Sequence, residues 1–181
     1  MNIAFFLSIV AITLLITSLI VLGNRKTGYS HYFHTISELG EVGAPHQYRV
    51  AWFVFMPVGL LLLPVAYLYQ ESFPALASLA ACVAVGYMVA ALFPCDPGSP
   101  TSGSLRQSIH NLGGAVEYIG GGISLMWIAE SAGIGFKVLG SITLGIAFAL
   151  TFMSSKSARG LVQRIGEAVL FGSITFLVWL H

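Results

Sequence analysis

The sequence predicts an all-α fold, a polytopic integral membrane protein built as a bundle of six transmembrane helices. Three observations carry that expectation. Apolar residues make up 56% of the 181-residue chain and charged residues 8%, against the ~25% charged that a soluble domain carries. Six apolar stretches are each long enough for a ~30 Å hydrocarbon core, which needs about 20 residues. Two of the connections between them are so short that consecutive stretches must run antiparallel. The same composition excludes disorder, which needs low hydrophobicity and high charge. With a net charge of +1 and no basic stripe, it also excludes a nucleic-acid partner.

The expected spans are 3–23, 50–70, 73–93, 105–129, 134–153 and 161–180, read as one transmembrane domain. The first has no positive charge before it and no small-residue cleavage site after it, so it reads as a signal anchor rather than a cleaved leader. The second contains Pro57 and Pro64, which are potential breaks. Glu71-Ser72 closes the first tight hairpin and Glu130 to Gly133 the second. The fourth span is rich in glycine, with Gly113-Gly114 and Gly120-Gly121-Gly122, and the fifth repeats Ser141, Gly145 and Ala149 every fourth residue. Such small-residue stripes let backbones approach closely in lipid, so they are candidate seams within the bundle or between copies in a homo-oligomer. No internal repeat is detectable, which weakens a transporter reading.

The three longer connections and their flanks hold Arg25, Lys26, Arg49, Arg106, Lys156, Arg159 and Arg164, whereas the opposite side has only Lys137. That asymmetry predicts a cell-membrane protein with the long loops cytoplasmic and both termini external. Cys82 and Cys95 have no zinc-finger spacing. If they share a helix, they lie roughly 20 Å apart, too far for a disulfide.

Polar chemistry gathers in the two long loops, which hold four of the five histidines and the only aspartate. In the first, His31, His34, Glu38 and Glu41 fall on one helical face, predicting a short amphipathic interfacial helix. His-x-x-His with Glu38 also offers nitrogen and oxygen ligands to a metal, although the stronger His-Glu-x-x-His pattern is absent. In the second, Ser104-Leu-Arg-Gln107 reads as a capping box that opens the fourth helix. Its free N–H groups, with Arg106, Ser108 and Ser104, suit an anion such as a lipid phosphate. Deeper in that helix His110, Gly114, Glu117 and Gly121 form one stripe, which places an ionisable Glu117 about 10 Å below His110. Intramembrane carboxyls face a partner, cavity or pathway. In the sixth span Arg164 and Glu167 are spaced to pair with each other.

Tyr29-Ser-His with Thr35-Ile-Ser-Glu-Leu-Gly, followed by Phe93-Pro-Cys-Asp-Pro-Gly and the later His110, resembles the domain-of-unknown-function family 998. These are prokaryotic six-helix membrane proteins, more distantly similar to DRAM-like and Sfk-like membrane proteins. The resemblance implies a membrane location and marks Ser37, Glu38, Asp96 and His110 as polar positions of the family.

Two functional readings follow. In one, the protein binds membrane lipid or a lipid-like headgroup at a polar site on the cytoplasmic side, through Arg106, Ser104, Ser108 and Ser37. In the other, it is a zinc-dependent membrane hydrolase. His31, His34, Asp96 and His110 supply its ligands, and Glu38 or Glu117 acts as general base on bound water.

Overall fold

The computed structural model describes residues 2–154 and 157–181; Lys156, counted above among the basic loop residues, lies outside them. The described residues form helices and no strand. Six helices are long and apolar enough to cross a membrane: α1 Ile3–Gly23, α2 Gln47–Tyr69, α3 Pro74–Leu92, α4 Leu105–Ala132, α5 Ile134–Phe152 and α6 Arg159–Leu180.

The prolines of the second span do not break it. Pro57 cannot donate a backbone N–H, and the turn before it, Ala51–Phe55, widens to π geometry, with the Met56 N–H reaching the Ala51 carbonyl five residues back. Pro64 sits inside the same continuous helix. At the α4–α5 turn Gly133 takes φ 100°, open to glycine at little steric cost.

The helices close into a ring in chain order. α1 lies against α2 and α6, and α3 and α6 meet across the middle. The run Gly120-Gly121-Gly122 shows why α4 is so poor in side chains. Successive residues of a helix point about 100° apart, and these three face three neighbours. A Cβ on Gly120 would meet Cys82 Sγ of α3 at 2.6 Å, one on Gly121 would meet Leu170 of α6 at 2.7 Å, and one on Gly122 would meet Leu144 of α5 at 2.8 Å. Within one chain the Ser141–Gly145 stripe of α5 makes no seam. Ser141 and Gly145 face outward, and a Cβ on Gly145 would touch nothing within 4 Å. The close approach is made instead by Gly140, whose Cβ would meet the Gly122 carbonyl at 2.7 Å.

The first loop is not a continuous amphipathic helix. Residues 27–36 are turns, followed by the single 3-10 turn Ser37–Gly40. Local hydrogen bonds win over helix propagation: the Ser30 N–H donates to His34 Nδ1 at 2.9 Å, and the Thr35 N–H to Glu38 Oε1 at 2.8 Å. The loop docks on the start of α6, whose unpaired N-terminal amides it satisfies. Gly160 N–H donates to the Phe33 carbonyl at 3.3 Å and Leu161 N–H to the Tyr32 carbonyl at 3.0 Å.

Candidate functional site

The histidines and acids of the first loop part company. Arg164 of α6 donates to the Tyr29 hydroxyl at 2.6 Å, to His31 Nδ1 at 2.9 Å and to the His34 carbonyl at 3.0 Å. It therefore fastens the loop rather than pairing with Glu167 as the spacing suggested. Burial, and then the Arg164 charge, lower the His31 pKa. Burial also lifts the Tyr29 hydroxyl to about 12 despite Arg164. His34 stacks on Tyr29. Glu38 caps its own turn through Thr35, with a 3.0 Å bond from the Thr35 hydroxyl. Glu41 pairs with Lys26 at 2.7 Å and accepts the Gly98 N–H at 2.7 Å, joining the two long loops.

At the start of α4 the anion cradle is already filled. The Asp96 carboxylate accepts the Ser104 N–H and hydroxyl, each at 2.8 Å, and pairs with Arg106 at 2.7 Å. The Ser104 N–H, then Arg106, hold the Asp96 pKa below its usual value. Asp96 thus occupies the place expected for a lipid phosphate and neutralises Arg106, whose Nε keeps no partner among the described residues. Ser104 caps the helix, accepting the Gln107 N–H at 3.2 Å. The reciprocal half of the capping box is missing. Gln107 instead accepts the Asp96 N–H at 2.6 Å and donates to the Pro100 carbonyl at 2.7 Å, so its amide braces the loop. Ser108 turns its hydroxyl back to the Ser104 carbonyl at 3.4 Å.

Among the described residues no three His, Cys, Asp or Glu come together as metal ligands. His31 and His34 belong to the Arg164 cluster, Asp96 to Arg106, and His110 to a third set of partners. A cation beside the Arg164 guanidinium would also be repelled. The four-ligand constellation read from the sequence is therefore not assembled. Cys82 and Cys95 are both free, and burial lifts the Cys95 thiol to about 12.

The structure does bring Ser37 and His110 together, and it does so on the wall of a half-open cavity of about 530 Å³ lined by the two loops and α3 to α6. His110 Nδ1 lies 2.9 Å from the Phe93 carbonyl oxygen, and Nε2 lies 3.1 Å from Ser37 Oγ. A carbonyl only accepts, so Nδ1 carries the proton and Nε2 presents its lone pair to the Ser37 hydroxyl. The polar end of the cavity also has Asn111, Gln163 and Arg159, while Leu144, Ala147, Phe148 and Phe152 of α5 form an apolar wall. Arg159 is 7% exposed. Among the described residues it donates only to main-chain oxygens, those of Ser99 at 2.8 Å and Gly98 at 3.3 Å, and its Nε is buried without a partner. Ser99 itself is held at φ 45°, a conformation uncommon for serine. Among the described residues Arg159 has no carboxylate partner.

Glu117 lines the same cavity, facing inward at 7% exposure. It lies in the π turn Val116–Gly120, a distortion that recurs at functional positions. Room for its carboxyl comes from Gly86 of α3, where a Cβ would meet Glu117 Oε2 at 2.6 Å. Among the described residues Glu117 Oε1 is buried without a hydrogen-bond partner, although the Glu117 carboxyl meets that of Glu167. Its electrostatic neighbour is Glu167 of α6, which accepts from the Tyr118 hydroxyl at 2.5 Å and the Tyr87 hydroxyl at 2.9 Å. The stripe His110, Gly114, Glu117 does line one space, but Gly121 turns away to Leu170.

Arg159, Gln163, Tyr87 and Tyr118 carry no sequence signal of a site. Arg159 reads only as one more basic residue at a helix end, and the rest depend on which helices touch.

No curated protein and no solved structure matches the chain. A family described as protein of unknown function (DUF998) matches residues 8–180. That match spans nearly the whole sequence, both polar loops included, and the chain, with its six helices long and apolar enough to cross a membrane, belongs to this family.

Proposed function

We propose that the protein binds a membrane lipid or lipid-like molecule, headgroup toward the loops and chain along α5, in the cavity between α3, α4, α5 and α6. The observation that carries this reading is the division of one cavity into a polar end, with Arg159, and an apolar wall from α5. Pockets of this size, largely apolar with a few convergent polar groups, are how proteins hold small ligands. Arg159 favours an anionic headgroup, because its charge is buried against main-chain oxygens alone among the described residues. By the excess of positive charge around the long loops, the polar end faces the cytoplasm and the protein resides in the cell membrane. Arg159 thus takes the headgroup role expected of Arg106.

Gly114 provides the test. It lines the cavity, and a Cβ there would meet nothing within 4 Å. A side chain can therefore start there without a clash at its Cβ, and Gly114→Leu should occupy the space. Purified protein reconstituted with phosphatidylglycerol and phosphatidylethanolamine should retain lipid in native mass spectrometry. Gly114→Leu should lose it, and Arg159→Gln should lose the anionic lipid first. Equal lipid retention by Gly114→Leu and the parent refutes the reading.

A further inference from the structure

We propose that Ser37 and His110 are a nucleophile and general base that cleave a carboxylic ester held in this cavity, through an acyl-serine intermediate. The proposal rests on the reading of the cavity as a lipid site and adds a reaction to it.

The geometry has the parts that nucleophilic catalysis requires. The nucleophile lies within hydrogen-bond reach of its base, 3.1 Å from Ser37 Oγ to His110 Nε2, and the base is oriented by a third group, 2.9 Å from Nδ1 to the Phe93 carbonyl. That third contact selects the tautomer whose Nε2 can take a proton. Phe93 is also the C-cap of α3, so His110 sits at the negative end of a helix dipole, which offsets part of the cost that burial places on the imidazolium formed on proton transfer. None of this holds for His31, His34 or Ser108. His31 Nδ1 is taken by Arg164, His34 Nδ1 by Ser30, and the Ser108 hydroxyl by its own helix. Both members of the pair line the cavity, and so does Arg159, whose positive charge would stabilise the oxyanion of a tetrahedral intermediate formed within its reach.

The step balances without any further reagent than water. Ser37 Oγ bonds to the ester carbonyl carbon as His110 Nε2 takes the hydroxyl proton. The tetrahedral intermediate collapses, the C–O bond to the alcohol breaks, and His110 returns the proton to the departing alkoxide. Water then attacks the acyl-serine with its proton going to His110, which hands it back to Ser37 Oγ as the carboxylic acid leaves. Nothing is oxidised or reduced.

The test uses the full chain in detergent with a long-chain alkyl fluorophosphonate, and 4-nitrophenyl dodecanoate as the ester. Peptide mass spectrometry should find the phosphonyl adduct on Ser37. Ser37→Ala should carry none, and His110→Gln should label and turn over the ester at least ~100-fold more slowly, the usual contribution of a general base. Should His110→Gln fail to melt cooperatively, the pH profile of labelling in the parent takes its place. Labelling should rise through one titration as the imidazole becomes neutral, and a flat profile overturns the proposal. Absence of an adduct on Ser37 in folded parent protein also overturns it, as does an undiminished rate in a folded His110→Gln. If the parent retains phospholipid yet never labels, the esterase fails and the binding reading stands. Ser37 labelling that depends on His110 in protein that retains no lipid supports the catalytic pair and removes the lipid reading alone.

Discussion

Gly160→Ala tests the way the first loop is held on α6, on which the placement of Ser37 depends. An added Cβ would run into the His34 carbonyl oxygen, with the His31 carbonyl oxygen at 2.7 Å and the His34 carbonyl carbon at 2.9 Å. All three are main-chain atoms, which cannot swing aside as a side-chain end can. The loop must therefore move off the helix. In doing so it strains or breaks the bonds from Gly160 N–H to Phe33 and Leu161 N–H to Tyr32, together with the 3.0 Å bond from Arg164 to His34. Overpacking alone costs about 1–3 kcal/mol, and two backbone bonds lost add about 1 kcal/mol each. The expected destabilisation is roughly 3–5 kcal/mol, which at about 2–4 °C per kcal/mol lowers the melting temperature by roughly 6–20 °C. Cys82 and Cys95 are free, the second buried, so a thiol-reactive fluorogenic dye reports the melt directly. Gly172→Ala is the control, because a Cβ at Gly172 meets nothing within 4 Å and alanine favours a helix by about 1 kcal/mol. A Gly160→Ala protein that melts with the parent would show that the loop is not seated on α6 as described.

Two further outcomes are expected. His31 has its pKa lowered below 6.5 by burial and by Arg164, so the unfolded chain binds more protons in that window and stability should fall as pH drops through 6.5 toward the folded value. His31→Gln should flatten that part of a melting-temperature profile between about pH 5 and 7, and a slope identical to the parent's refutes the role given to Arg164. Glu117→Gln should leave stability within about 1 kcal/mol of the parent's, because the amide keeps a donor toward the Glu167 carboxyl that Glu117 meets. A loss well beyond that would refute the pairing of these two side chains through one exchangeable donor.

The helical architecture was legible because lipid leaves the chain few options. A backbone in hydrocarbon must satisfy itself, so each long apolar stretch becomes a helix, and even Pro57 is absorbed by a single widened turn. The site was legible only in part, and the failures share a cause. His31, His34, Glu38 and Glu41 do have helical spacing, but spacing says nothing of competition, and Ser30, Thr35 and the Arg164 guanidinium offered those groups nearer partners. The helix-end anion site at α4 was a sound inference about chemistry with the wrong occupant: the anion that fits best is Asp96, supplied by the chain itself. Ser37 and His110 lie 73 residues apart. They meet because the 3-10 turn that carries Ser37 is fixed from α6 through the Gln163 side chain, 2.6 Å from the Ile36 N–H, while His110 is fixed from α3 through the Phe93 carbonyl. Neither of those two supports is visible as a motif. The sequence marks which residues have chemistry to offer, and the packing of α3 and α6 against the loops decides which of them are left facing a cavity with that chemistry unspent.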